Sequence, residues 1–326
     1  MLIIRSKNHD AEFNIASEEY LFNCKQDNIF LLYQNNKAII VGRKQNTIAE
    51  INQEYIQENQ IKVVRRMSGG GAVFHDIGNL NFCFIIRNVD TFESDFSRYT
   101  QPIIEVLQSL GVNARLEGRN DLTIDGKKFS GNAKYFRGNT LLQHGTLLFD
   151  SNISDVTKAL NVDPSKFNDK SVKSVRSRIT NITEHLKTPV SMETFEDLII
   201  KKILSLYQDA DYYEYTNKDL EAIETLKKDK YANWEWNYGK SPEYNFHKKH
   251  RCPGGSIEVM MTIRKGIIED FKLYGDFFAI TDTDSFEKSF IGKTHQYHDL
   301  NEHLMQLTVK EIFMNISRED ILEALF

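Results

Sequence analysis

Apolar positions recur along this chain with two periods, and the switches between them mark its elements. Residues 11–25 place Phe13, Ala16, Tyr20 and Leu21 at helical spacing, which predicts an amphipathic helix. IFLLY (29–33) and KAIIVGR (37–43), joined around Asn35-Asn36, read as a β-hairpin. KVVRR (62–66), AVFHD (72–76) and NLNFCFIIR (79–87) follow as strands. Residues 92–110 carry a helical pattern that stops at Gly111. DLTIDGKKFSGNAKYFRG (121–138) reads as a hairpin turning at Asp125-Gly126, with TLLQHGTLLFD (140–150) as a third strand. Polar residues 161–181 lack an apolar period and predict a long surface loop. Helices are expected near 191–207 and 218–230, strands near 245–251, 256–264 and 267–275, then helices near 284–291 and 309–325. The pattern predicts an α+β protein, a mixed β-sheet core with flanking helices over 1–243 and a small C-terminal α+β domain over 244–326.

Composition narrows the class. With 326 residues, 40% hydrophobic and 11% aromatic, the chain can bury a sizeable core. The net charge of −5 argues against a general nucleic-acid binder. Three dispersed cysteines, Cys24, Cys83 and Cys252, do not form a disulfide framework. The first apolar run is too short for a signal peptide and no stretch approaches a membrane span, so a soluble cytoplasmic protein is expected.

Candidate chemistry centres on VVRRMSGGGAVFHD (63–76). Consecutive glycines between two strands let backbone N–H groups approach an anion, and Arg65 and Arg66 would add charge-assisted bonds to a carboxylate or phosphate. The segment is neither a P-loop nor a dinucleotide fingerprint, because no lysine-serine pair and no helix follows. Asn120 and Asp121 open a strand with oxygen ligands suited to Mg²⁺ beside phosphates. Strand alternation should turn one of Lys127 and Lys128 inward, where an ammonium needs an anionic partner. His144 and Gly145 interrupt an apolar strand; the glycine marks a close approach, and the histidine reads first as a hydrogen-bonded core residue. Lys173, Arg176 and Arg178 put charge on the 161–181 loop, which could close over a nucleotide. No Ser-His-Asp order is evident, and His247, His250 and Cys252 lack the second pair a zinc site needs.

These pieces stand in an order that resembles the two-domain bacterial lipoate–protein ligases: RRMSGGGAVFHDIGNLNFCF (65–84), GRNDLTIDGKKFSG (118–131), HGTLLFD (144–150), SVRSRITN (174–181) and WEWNYG (234–239). The resemblance covers nearly the whole chain. It implies a biotin/lipoyl ligase-like fold related to class II synthetases. The reaction it implies joins lipoate and ATP to lipoyl-AMP, then transfers the lipoyl group to a lysine of an acceptor. The implied acceptors are apo-lipoyl domains of 2-oxoacid dehydrogenase E2 subunits and the glycine-cleavage H protein. Carried over position by position, Lys128 is the residue that meets both carboxylate and α-phosphate. Arg66, Gly71, Ala72, Val73, Phe74, Ser174, Val175 and Arg176 would contact ATP or the adenylate. Ser68, Gly69, Gly70, His75 and His144 would shape the lipoate slot, and Asn120 and Asp121 would hold Mg²⁺. The resemblance is compatible with a monomer that binds neither nucleic acid nor membrane.

Two rivals share this resemblance. A lipoyl or octanoyl transferase would need a cysteine nucleophile and no ATP, but the middle of the chain, between Cys83 and Cys252, has none. A biotin-repressor-like regulator would need an N-terminal helix-turn-helix, for which the sequence leaves no room ahead of the first helix.

Overall fold

The computed structural model describes residues 1–45, 47–90, 95–160, 178–238, 246–264 and 266–326. The expected boundary at 243/244 lies outside them. In chain order the strands are β1 (Leu2–Arg5), β2 (Ile29–Gln34), β3 (Ala38–Val41), β4 (Lys62–Arg65), β5 (Val73–His75), β6 (Asn79–Ile86) and β7 (Ala114–Glu117). They continue with β8 (Asp121–Ile124), β9 (Lys127–Arg137), β10 (Thr140–Leu148), β11 (Asp211–Tyr212), β12 (Phe246–Cys252), β13 (Gly255–Arg264) and β14 (Ile267–Gly275).

An eight-stranded mixed sheet in the order β11-β1-β2-β6-β10-β9-β8-β7 forms the frame. β1 runs parallel to β2 and β11, and the other pairs are antiparallel. Alternation on β6 sends Phe82 and Phe84 to one face and Cys83 and Ile85 to the other. Helices Ser97–Ser109 and Met192–Leu206 cover the first face. Helix α1 (Ala11–Cys24) and helix Asn217–Leu226 cover the second.

A three-stranded sheet, β4-β3-β5, packs over the second face. This corrects the expected 29–43 hairpin. β2 and β3 belong to different sheets because Asn35, fully buried, is held by Asn14 Nδ2 at 2.8 Å and by His75 at 3.0 Å. The linking residues carry the chain from one layer to the next instead of folding it back. α1 is also less amphipathic than expected: Phe13, Ile15, Ala16, Ser17, Glu18 and Leu21 are all buried, since sheet and helix close on it from several sides.

The hairpin at Asp125-Gly126 forms as read, with φ of 50° and 76° at its two corner residues. A third core draws on β12, β13 and β14 and the short helices after them. There the expected helix over 309–325 is two pieces, Val309–Ile312 and Arg318–Leu325. Asn315 takes φ 58° and Ser317 caps the second piece in a capping box with Asp320. Helix Tyr297–Met305 and strand β7 were not anticipated. Among the described residues, no helix is long and apolar enough to cross a membrane.

Candidate active site

A slot lies between the two sheets of the large layer. Tyr33, Asn81 and Thr146 stand opposite one another on β2, β6 and β10, and Gly131 of β9 donates its N–H to Thr146 Oγ1 at 3.2 Å. These residues form the slot floor. Four neighbouring strands make its length roughly 14 Å, three strand spacings. Ile40, Gly70, Gly71 and Val73 close it from the smaller sheet, and Ile15 of α1 adds to its wall. Its free space is about 100 Å³. At the β9 side it meets a wider cavity of about 710 Å³, walled also by Arg251, Pro253 and Asp276 of the C-terminal layer.

Lys128 lines both cavities, and its Nζ pairs with Asp121 Oδ1 at 2.8 Å. Its neighbour Phe129 is wholly buried in the first core, so alternation turns Lys128 the other way. The backbone is fixed as well: Lys128 N–H donates to Arg178 O at 2.8 Å, and Thr180 N–H donates to Lys128 O at 3.0 Å. The last residues of the 161–181 segment are therefore tied to the lysine itself. Ser174, Val175 and Arg176 lie outside the described residues.

The two arginines before the glycines serve the protein first. Arg65 donates to the carbonyls of Gly42, Arg43, Gln45, Trp236 and Asn237 and to Thr47 Oγ1. Every N–H of its guanidinium is used, which corrects the reading that it binds an external anion. Arg66 donates to Ser68 Oγ and to the carbonyls of Ile40, Gly69 and Gly71, and so sets the curvature of the loop. It also lines the slot. Burial lowers both guanidinium pKa values to about 10, which leaves both charged near neutral pH.

Ser68 and Gly69 do not line the slot as expected. Ser68 is fully buried behind it, and a Cβ on Gly69 would meet the Phe277 carbonyl oxygen at 2.3 Å. Gly70 does line it, at φ 87°, with its N–H donated to Phe277 O at 3.2 Å. Gly71, Ala72 and Val73 border both cavities, and Phe74 borders the wider one. Gly145 leaves room for the Asn132 amide and the Phe82 ring, which a Cβ would meet at 2.4 and 2.6 Å.

His144 is the hydrogen-bonded histidine its apolar strand suggested, and it also borders the slot. Nδ1 lies 2.8 Å from Glu18 Oε2, and Nε2 lies 2.6 Å from Ser68 Oγ. Tyr33 OH donates to the other Glu18 oxygen at 3.0 Å. A buried chain thus runs Glu18–His144–Ser68–Arg66, ending at the glycine loop. It superficially resembles a nucleophilic triad. Ser68, however, is sealed from the slot and already accepts from Arg66 Nε at 3.0 Å, so the chain anchors the loop. Glu18 was missed from sequence, although a carboxylate three residues after Ile15 and three before Leu21 falls on the buried side of a helix.

His75 also borders the slot, and burial, then the charge of Arg66, lowers its pKa to about 3. Between that value and the unfolded value, the unfolded chain binds a proton that the folded chain refuses. Stability is therefore lost as pH falls below about 6.5, by up to about 1.4 kcal/mol per pH unit. The stability difference between the wild-type chain and His75→Gln, from urea melts at pH 7, 6 and 5, is expected to shrink along that slope. A flat difference would show that His75 is protonated in the folded chain.

Asn120 does not fit a metal ligand: its Nδ2 donates to Asn132 O at 2.5 Å, and its Oδ1 faces Arg119. Asp121 retains one carboxylate at the edge of the wide cavity. Among the described residues, no three His, Cys, Asp or Glu side chains group to hold an ion. His247 pairs with Glu258 and His250 with Asp320 instead. Cys24 is exposed, and Cys83 is fully buried with its thiol pushed well up by burial and then by Glu18. No cysteine is among the described residues lining either cavity.

Comparison with known proteins matches residues 10–204 to the lipoyl protein ligase A/B catalytic domain and residues 241–325 to the bacterial lipoate protein ligase C-terminus. Lipoate-protein ligase LplJ of Bacillus subtilis is 42% identical over 331 residues, covering 100% of each chain. The structure of Plasmodium falciparum LipL1 in complex with lipoate superposes with a TM-score of 0.80 at 25% identity, covering 99% of this chain and 97% of that one. A bipartite lipoate protein ligase from Thermoplasma acidophilum, described together with its E2 lipoyl domain, gives 0.65 at 27% identity, covering 75% and 98%. Lipoate-protein ligase A bound with ATP gives 0.60 at 25% identity, covering 73% and 97%. With the biotin/lipoate ligase fold, both family matches and a full-length relative in hand, this chain belongs to the lipoate–protein ligases and is an enzyme of the ligase class.

Proposed function

We propose that this ligase works through an adenylate: lipoate and ATP react to give lipoyl-AMP, and an acceptor lysine then takes the lipoyl group. The observation that carries this reading is Lys128, the one lysine among the described residues that line the junction of the narrow slot and the wide cavity. The slot suits an extended acyl chain, and the wide cavity has room for a nucleotide. A carboxylate oxygen at Lys128 attacks the α-phosphorus of ATP, a P–O bond forms, and the bond to pyrophosphate breaks. The Lys128 ammonium offsets repulsion between the two anions as they approach and stabilises the departing AMP in the second step. There the acceptor amine attacks the acyl carbon and loses its proton. No protein nucleophile is required, which agrees with the absence of a cysteine among the described residues lining either cavity.

The loop held by Arg66, with Gly71, Ala72, Val73 and Phe74, borders the phosphates and adenylate in this reading. Ser174, Val175 and Arg176 are proposed to contact ATP or the adenylate. A Mg²⁺ ion arriving with ATP would take Asp121 as a carboxylate ligand and would supply charge neutralisation at the phosphates. Residues 1–243 form the catalytic part and 244–326 the accessory part. The acceptors proposed are apo-lipoyl domains of 2-oxoacid dehydrogenase E2 subunits and the glycine-cleavage H protein, met by a monomer in the cytoplasm. The bipartite relative described with an E2 lipoyl domain supports this class of acceptor.

The test is lipoate-dependent exchange of labelled pyrophosphate into ATP, followed by transfer to an apo-lipoyl domain read by mass spectrometry. Exchange by the purified chain alone supports the reading; lipoylation that proceeds without ATP overturns it. The triple variant Cys24→Ser, Cys83→Ala, Cys252→Ser is expected to keep ATP-dependent lipoylation within about threefold, the loss coming only from a small cavity. Loss of transfer in that variant would favour the cysteine-dependent transferase.

A further inference from the structure

The inner end of the slot holds a hydrogen-bond donor that finds no partner among the described residues. Two buried side-chain atoms of slot residues lack a partner among the described residues: Asn132 Oδ1, near Gly145, and His75 Nε2. Their positions differ. Asn132 stands on β9, the strand that carries Lys128. His75 stands on β5 beside Asn35, the residue after β2, and β2 is three strands away from β9.

The tautomer of His75 follows from its neighbours. Asn14 Nδ2 donates to Asn35 Oδ1 at 2.8 Å, which assigns the other end of the Asn35 amide as a donor. That NH₂ lies 3.0 Å from His75 Nδ1, so Nδ1 accepts. The ring is neutral, so its proton sits on Nε2. Asn14 is itself fixed by the carbonyls of Asn8 and Gln34, so the chain of amides has one consistent orientation. The neighbouring polar groups are already paired: Tyr33 OH with Glu18, and Asn81 Nδ2 with Tyr33 O at 3.2 Å. An unpaired N–H at 3% exposure is costly unless a ligand accepts from it.

We propose that His75 Nε2–H selects the acid: it donates to a ring sulfur at the far end of a dithiolane-bearing acid and so favours that acid over a straight-chain one. This rests on the reading that places the carboxylate at Lys128. A carboxylate there directs the distal end of the acyl chain towards β2 and His75. Lipoate brings sulfur lone pairs to that end, whereas octanoate brings a methyl group that leaves the N–H unpaired. Asn132 Oδ1, an acceptor, gains nothing from either acid, so it does not distinguish them.

Calorimetric titration of the full chain with lipoate and with octanoate reads the selection directly, without turnover. The wild-type chain is expected to bind lipoate more tightly. His75→Leu should reduce the ratio of the two affinities about fivefold to tenfold. His75→Gln, whose amide keeps an N–H near the same place, should retain most of the ratio. An unchanged ratio in His75→Leu, or equal loss in both variants, overturns the selection by Nε2–H. If the wild-type chain binds both acids but shows no pyrophosphate exchange with either, the adenylate reading fails while the selectivity result still stands on its own.

Discussion

Lys128→Ala is expected to lower lipoate-dependent pyrophosphate exchange about a thousandfold while leaving the fold intact. Lys128 is half-exposed, and among the described residues its one side-chain ion pair is to the equally exposed Asp121, so little packing is lost with it. The melting temperature should stay within about 2 °C of the wild-type value. Its backbone bonds to Arg178 and Thr180 do not depend on the side chain, so the bridge between Lys128 and Ile179 should stay in place. Lipoate affinity alone should fall much less than exchange, because the ammonium matters most where carboxylate and phosphate meet. Exchange at the wild-type rate in this variant would remove Lys128 from the chemistry.

Arg65→Leu, one residue before Arg66, should do the opposite and unfold the protein before it alters the reaction. Its guanidinium joins the turn after β3, the end of β4 and the segment Trp236–Asn237 through six acceptors. A leucine would leave these carbonyls buried and unpaired, at a cost of about 4 kcal/mol. Urea denaturation is the measurement. A stable Arg65→Leu chain that lost only nucleotide binding would show that this arginine does face the ligand, against the bonding pattern of the structure.

These two neighbours show where the local pattern was informative and where it was not. The spacing marked Arg65 and Arg66 as equivalent cations beside a glycine loop, but only Arg66 borders the slot. The β8–β10 unit was readable because period-two alternation and an Asp-Gly turn are local signals, and they also turned Lys128 away from Phe129. The capping box at Ser317 was equally local and would have divided the 309–325 segment. The 29–43 hairpin failed for a different reason. Two apolar runs with a short polar link look the same whether they pair or pass between layers, and Asn35 answers that only through Asn14 and His75.

By itself the sequence determined the α+β class, the glycine loop, the hairpin bearing Lys128 and, through ordered motifs, the kinship with lipoate–protein ligases. Those features rest on period, turn chemistry and residue order, which act over a few residues. Only the tertiary structure decided that Tyr33, Asn81, Thr146 and Gly131 line up across four strands as a slot. It alone brought Glu18, His144, Ser68 and Arg66 into one buried chain, spent Arg65 on carbonyls and left a single N–H of His75 without a partner among the described residues. Strand register and the pairing of buried polar groups depend on residues far apart in the chain, so no local period encodes them.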